Sequence, residues 1–196
     1  MLIGSTQLSP VEVTGLYQAV ASGGFQSPLK AIRSVLDSDN QPLQRFEYRI
    51  RQGADEQAIF LLQHALMHVS THGSARSAKR ALGELQFAGK TGTSSRQRDS
   101  WFAGYTGDLL AVVWLGSDDN ADTAFTGSTG ALPIWTDFMR AASRQSLLPL
   151  PPEDIVYAWV DLPTSHRSRA RCASAVKLPF VAGTEPTGTL SCSQKR

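Results

Sequence analysis

The sequence predicts an α+β chain: an antiparallel meander set among amphipathic helices, with a small appendage at the C-terminal end. Three observations point to it. Strand-like runs at 87–94, 101–105 and 109–115 follow one another with turn-length connections, and Gly107-Asp108 is a tight hairpin turn between the last two. Runs with helical caps and apolar stripes lie before and after them. Beyond Pro149-Leu150-Pro151-Pro152 the texture changes to Pro, Ser, Thr and Arg. The expected division is therefore 1–150 and 151–196. A chain of 196 residues with 41% hydrophobic content can bury one sizeable core, as a soluble globular domain does.

Taken in order, Ser9-Pro10-Val11-Glu12 opens the first helix. Ser9 is the N-cap, Pro10 sits at the first helical position and Glu12 closes a capping box. Val13, Leu16, Tyr17 and Val20 form its apolar stripe, and Gly23-Gly24 ends it. Residues 29–48 read as a β-hairpin, with Ile32 and Val35 in one arm, Leu43, Phe46 and Tyr48 in the other, and Asp37-Ser38-Asp39-Asn40 at the turn. Gly53-Ala54-Asp55 starts a second helix with the stripe Ile59, Leu62, Leu66 and Val69, stopping at Gly73. The basic, small residues 74–80 carry no stripe and are expected to form a mobile connection. After the meander a Gly-rich loop covers 117–130, and Pro133 opens a last helix with Ile134, Trp135, Phe138, Met139 and Ala142. Short apolar runs near Ile155 and 176–181 belong to the appendage.

Composition removes several classes of function. A net charge of +2 gives no reason to expect nucleic acid or a polyanionic surface. No apolar run reaches the roughly eighteen residues of a membrane span. Met1-Leu2-Ile3-Gly4-Ser5 has no basic segment followed by a long apolar core, so it is not a signal peptide, and the chain is expected to begin inside a domain. No cofactor is implied. Cys172 and Cys192 have no Cys or His at zinc spacing, so no metal site is expected there. They read as a disulfide formed in an oxidising compartment, with two reduced thiols as the alternative.

The chemistry centres on Lys90-Thr91-Gly92-Thr93. A Lys-Thr-Gly strand is one of three elements of penicillin-binding proteins and class A β-lactamases, beside Ser-x-x-Lys and Ser-x-Asn. Gly92 lets another extended backbone lie close, so a peptide can add itself as a strand. Lys90 offers a cation to a terminal carboxylate, and the Thr91 and Thr93 hydroxyls can hydrogen-bond the same group. The Thr93 N–H can donate into an oxyanion hole.

Other patterns compete. Ser27-Pro28-Leu29-Lys30 spells Ser-x-x-Lys and Ser38-Asp39-Asn40 spells Ser-Asp-Asn. A nucleophilic serine should start a helix with its lysine one turn on, whereas Pro28 lies in a strand-like run and Ser38 in a turn, so both are rejected. His64, His68 and His72 repeat every four residues, but they sit off the Leu62/Leu66 stripe and are expected on a solvated helix face. Asp118, Asn120 and Asp122 begin like a calcium loop, yet Thr123 and Thr129 stand where Gly and Glu are needed, so this reads as a polar loop.

Longer stretches carry a resemblance. They are Ile3-Gly4-Ser5-Thr6-Gln7-Leu8-Ser9-Pro10-Val11-Glu12, Ala21-Ser22-Gly23-Gly24, Ala88-Gly89-Lys90-Thr91-Gly92-Thr93-Ser94, Asp99-Ser100-Trp101-Phe102-Ala103-Gly104-Tyr105, Trp114-Leu115-Gly116-Ser117-Asp118-Asp119-Asn120 and the segment from Gly127 to Trp135. Through them residues 1–152 resemble the C-terminal part of the transpeptidase domain of bifunctional class A penicillin-binding proteins, most like the 1b branch, and the cysteine-bearing tail is similar to the 1b type. The resemblance implies a partial penicillin-binding-protein and serine β-lactamase-like fold, with helices on both faces of an antiparallel sheet and an active site at the edge of the Lys-Thr-Gly strand. It implies DD-transpeptidation. A serine attacks the penultimate D-alanyl carbonyl of a peptidoglycan stem peptide, D-alanine leaves, and the acyl group passes to a neighbouring stem. β-Lactams acylate the same serine. Implied too are a role in cell shape and antibiotic resistance, a parent at the periplasmic face of the bacterial inner membrane, and outer-membrane lipoprotein activators and division proteins as partners.

The family's nucleophile, Ser-x-Asn, glycosyltransferase domain and membrane anchor precede the stretch that matches Met1. Lys90 and Thr93 are thus the catalytic residues, and Lys90, Thr91, Gly92 and Thr93 the substrate-binding ones, that carry over, and the fragment is expected to be inactive alone. The alternative is a non-catalytic module that holds a stem peptide or a regulatory partner. A β-lactamase fragment is disfavoured by the aromatic Trp101-Phe102-Ala103-Gly104 strand and the late cysteines.

Overall fold

The computed structural model describes residues 6–189. The capping box forms as the sequence requires. Ser9 Oγ accepts the Glu12 N–H at 3.4 Å, the Glu12 carboxylate accepts the Ser9 N–H at 2.7 Å, and α1 (Pro10–Ala21) follows. Gly23 and Gly24 then turn the chain with φ of 72° and 98°, values that favour glycine. Four short strands come next: β1 (Phe25–Gln26), β2 (Ser34–Leu36), β3 (Pro42–Arg45) and β4 (Arg51–Gln52). β1 pairs with β4, and β2 with β3 in the expected hairpin. The Asp37 carboxylate closes its turn by accepting the N–H groups of Asp39 and Gln41.

Asp55 caps α2 (Glu56–His72) by accepting the Ala58 N–H at 2.8 Å. The expected mobile connection at 74–80 is instead helical: α3 (Arg76–Leu82). Ala75 and Ala78 are fully buried in the core with Trp135 and pack with Val69. Alanine has high helix propensity and lets helices approach closely, but two small residues leave no stripe to read.

β5 (Ala88–Thr93), β6 (Ser100–Tyr105) and β7 (Leu110–Leu115) form the predicted antiparallel meander in that spatial order. Thr91 faces Phe102, which faces Val113; Gly92 faces Trp101, which faces Trp114. The helix α4 (Ala131–Ala142) begins two residues before Pro133. It packs Trp135, Leu132 and Met139 against the Phe102 face. The Trp135 ring lies 4.8 Å from that of Phe102 and 5.1 Å from that of Phe87, and its Nε1 donates to the Gly104 carbonyl at 3.2 Å. A Cβ on Gly104 would meet the Phe102 ring at 2.6 Å, so only glycine admits this packing. On the other face Ala88, Tyr105, Leu66 and Leu147 form a second cluster with Tyr17 and Val20 of α1. The fold is thus mixed α and β, with antiparallel sheets flanked by helices. Five stripe residues expected inside are exposed: Leu16, Leu62, Ile134, Phe138 and Ala142.

The C-terminal residues build a second sheet from β8 (Ile155–Asp161), β9 (His166–Arg167) and β10 (Ala175–Val181), with β8 in the middle. It meets α2 where Gln57 Nε2 donates to the Glu153 carbonyl at 3.1 Å and where the His64 and Tyr157 rings lie 6.2 Å apart. Cys172 is buried in the turn before β10, its carbonyl accepting the Ala175 N–H at 3.1 Å. Cys192, and with it the expected pairing, lies outside the described residues.

Candidate active site at the edge of the Lys-Thr-Gly-Thr strand

Among the described residues β5 has β6 on one side and no strand on the other. Lys90 Nζ donates to the Thr91 carbonyl at 3.0 Å and to Thr91 Oγ1 at 3.4 Å. That carbonyl therefore points out through the free edge. On the paired side the Ser94 N–H donates to the Asp99 carbonyl at 3.1 Å, which continues the β6 ladder from an even-numbered residue. In an antiparallel strand a residue's N–H and C=O point the same way, and the direction alternates along the chain. The two observations agree: the backbone groups of Thr91 and Thr93 face outward. Lys90 and Thr93 are also exposed.

Both threonine hydroxyls are anchored. Thr91 Oγ1 lies 2.6 Å from Ser74 Oγ, which follows the C-cap of α2. Thr93 Oγ1 accepts the Gly127 N–H at 2.9 Å. A hydroxyl has one proton and two lone pairs, so this bond engages the accepting side of Thr93 and leaves its proton to donate. Gly127 reaches that position because it has no side chain; a Cβ there would sit 2.6 Å from the carbonyl oxygens of both Gly92 and Trp101. Gly92 is tight as well, since an added Cβ would lie 3.1 Å from the Trp101 Cβ. The glycine thus serves the sheet's own packing besides leaving room for a neighbouring backbone.

The 117–130 loop is pinned to the end of the meander. The buried Ser100 Oγ donates to the Thr126 carbonyl at 2.8 Å and accepts the Ala131 N–H at 2.9 Å. Arg96 Nη2 reaches Asp122 Oδ2 at 3.0 Å, Arg98 Nε reaches Asp122 Oδ1 at 3.6 Å, and the Thr123 N–H donates to the Gln97 carbonyl at 3.1 Å. Asp122 is therefore paired with arginines. Among the described residues no group of three or more His, Cys, Asp or Glu is placed to hold a metal ion.

The rejected motifs fall elsewhere. Ser27 lies in the loop after β1, its N–H bonded to Gln18 Oε1 at 3.2 Å, while Lys30 Nζ bonds the Glu47 carbonyl and lies 5.2 Å from the Tyr48 ring centre. Ser38 and Asn40 occupy the β2–β3 turn, with Asn40 at a φ of 60°. Ser174 to Lys177 also spells Ser-x-x-Lys, a match not weighed in the sequence; it runs into β10, and Ser174 Oγ bonds Asp161. His64 and His68 are half-buried, so this helix face is not fully solvated. A groove lined by Leu8, Leu16, Pro28, Leu29 and Ile50 contains none of the residues of β5. Ser74, Ser100 and Gly127 were not singled out as site residues in the sequence. Ser100 and Gly127 lie in stretches that carry the resemblance, and Gly127 in the Gly-rich loop, but no local pattern gives these residues a role, because their partners lie far away along the chain.

Residues 2–139 match the family of the penicillin binding protein transpeptidase domain. The chain belongs to this family. It is 35% identical over 180 residues to penicillin-binding protein 1B of Vibrio cholerae, covering 92% of this chain and 23% of that protein. The chain spans about a fifth of the length of the curated relatives it matches. The crystal structure of penicillin-binding protein 1A from Haemophilus influenzae superimposes with a TM-score of 0.82 at 23% identity, over 93% of this chain and 33% of that one. Penicillin-binding protein A of Mycobacterium tuberculosis, solved as an imipenem acyl-enzyme complex, gives 0.57 at 18% identity, over 71% of this chain and 32% of that one. These two likenesses show the transpeptidase fold. Among the described residues no helix is long and apolar enough to cross a membrane.

Proposed function

We propose that the chain supplies the carboxylate-binding and oxyanion-hole side of a serine DD-transpeptidase that cross-links peptidoglycan stem peptides. The supporting observation is the free edge of β5, where the Thr93 backbone points outward beside the Lys90 ammonium and a Thr93 hydroxyl with its proton to give. A stem peptide would lie along this edge as an added strand. Its terminal carboxylate would be held by Lys90, Thr91 and Thr93, with Gly92 giving it room, and the Thr93 N–H would stabilise the oxyanion that forms on serine attack. A β-lactam presents a carboxylate in the same relation to its reactive carbonyl, so it takes the same place and acylates the same serine.

In this reading residues 1–196 alone are inactive, because carboxylate binding without an activated serine does not start acyl transfer. The working protein faces the periplasm, where lipoprotein activators and division proteins are its candidate regulators. There Cys172 and Cys192 pair; closing a loop of about twenty residues contributes about 3 kcal/mol in the chain-entropy model. Peptide mass spectrometry of protein from an oxidising compartment should find them linked.

The main test exchanges residues 2–139 for the matching segment of Vibrio cholerae penicillin-binding protein 1B and measures acylation by a fluorescent penicillin. Thr93→Val should slow it about ten- to hundredfold, the effect of losing a hydrogen bond to a charged group. Unchanged rates would exclude the β5 edge as the carboxylate site. Residues 1–196 by themselves should stay unlabelled in the same assay.

A further inference from the structure

We infer that Ser100 is a positioning residue for the Thr93 hydroxyl, acting through the 126–131 turn. The inference rests on the reading of Thr93 as a carboxylate ligand. Thr93 and Ser100 are directly opposite across the β5–β6 pair, yet they are joined through the loop. Ser100 Oγ holds both ends of the turn, donating to the Thr126 carbonyl at 2.8 Å and accepting the Ala131 N–H at 2.9 Å. Between those ends lies the Gly127 N–H, 2.9 Å from Thr93 Oγ1.

The chemistry follows from counting protons. A threonine hydroxyl on an exposed strand end rotates among staggered positions and divides its proton among them. A fixed N–H on the accepting side removes the orientations in which the proton points at the loop, and leaves those that point away from it. The aim is then set before the anion arrives, which lowers the cost of binding it. Ser100 is fully buried, and a Cβ on Gly130 would come within 2.7 Å of its Oγ, so the arrangement has no slack. Gly127 supplies the donor and Ser100 holds it in register.

A merely structural serine would affect all substrates alike; a residue that aims Thr93 affects only those with a carboxylate. The experiment uses the exchanged Vibrio cholerae protein and compares acylation by a penicillin with that by its methyl ester. Two variants disturb the device differently. Ser100→Ala removes the bonds that tie both ends of the turn to β6, leaving the turn its own backbone bonds from the Gly130 N–H to the Thr126 carbonyl and from the Leu132 N–H to the Gly127 carbonyl. Gly127→Ala keeps Ser100's bonds but drives a Cβ into the Gly92 and Trp101 carbonyls, lifting the donor from Thr93. Each should lower the acid-to-ester rate ratio about tenfold. Thr93→Ser, which keeps the hydroxyl, should hold the ratio near the parent value. Thermal unfolding of each variant accompanies the rates, and because the ratio is taken within one variant, a lower folded fraction cancels from it. If Thr93→Val lowers the ratio while Ser100→Ala and Gly127→Ala leave it intact, the inference fails and the carboxylate site stands. If Thr93→Val also leaves it intact, the carboxylate site itself fails, and the inference with it.

Discussion

The meander with α4 and the hairpin region before α2 use the same kinds of residue to opposite effect. Phe102, Leu132, Trp135 and Met139 are fully buried. Val35 is 42% exposed, Leu43 69% and Ile50 69%. β2 and β3 pair with each other, and every residue in them is exposed. Apolar side chains stabilise a fold in proportion to the area removed from water, at roughly 25 cal/mol per Å². The meander is therefore the load on which the stability of this chain rests, while the hairpin is a shape held by backbone bonds and turn chemistry.

The contrast can be broken most strongly at Trp135. Trp135→Ala removes the ring that touches both Phe87 and Phe102, together with the indole N–H that donates to the Gly104 carbonyl. It should cost about 3–5 kcal/mol in denaturant unfolding, and a loss below about 1 kcal/mol would show that the meander is not the main core. Asp108 comes next. Its carboxylate accepts from Ser143 Oγ, the Arg144 N–H and Thr106 Oγ1, tying the β6–β7 turn to the end of α4, and these bonds hold its pKa down at about 2. A carboxyl with a depressed pKa contributes stability above its ordinary value, here 3.8, and loses it as pH falls toward about 2. Asp108→Asn should lower the unfolding midpoint at pH 6 and converge with the parent near pH 2. Equal midpoints at both pH values would refute the tie.

A smaller effect is expected where α2 meets the C-terminal sheet. Burial, and then the neighbouring imidazole, lower the pKa of His64 and of His68 below 6.5. The folded state thus binds fewer of these protons than the unfolded one, and stability falls as pH drops through about 6.5. Tyr157 and Lys177, the groups of β8 and β10 at this contact, include no acid to offset the new charge, and Lys177 already lies over the Tyr157 ring. Unfolding followed from pH 8 to pH 5 should show the decline, and His64→Gln should flatten it. The smallest change belongs to Leu43→Ala, within about 0.5 kcal/mol of the parent. A loss of 2 kcal/mol there would mean that the hairpin is buried in solution, by another copy or another chain.

Local rules made much of this legible. Ser9, Glu12 and Asp55 specify helix starts through bonds within four residues, and the Gly107-Asp108 hairpin is closed by the Thr106 N–H on the Leu109 carbonyl. The strand at Lys90 and its neighbours in the meander are short-range features too. What escaped depends on distant partners. α3 is held by Ala75 and Ala78 against Trp135, nearly sixty residues on, and Ser100 bonds residues of a loop some thirty positions later. The exposed Leu16 and Leu62 mark a different failure. A stripe shows which face of a helix seeks cover but says nothing of whether this chain supplies it.

The fold of the Lys90 side chain across its own strand has a consequence for solution behaviour. An unpaired strand is a template on which a second molecule can grow a ladder, and proteins guard against this with charges placed along the rim. Lys90 ties up the outward carbonyl of Thr91 and sets a positive charge beside it. Two such rims repel. In the proposed function a peptide that ends in a carboxylate would be admitted, because it neutralises the guard as it docks. On that reading the same ammonium would select an anionic guest while denying the position to another copy of the strand, so that an uncharged side chain here would trade binding for clumping.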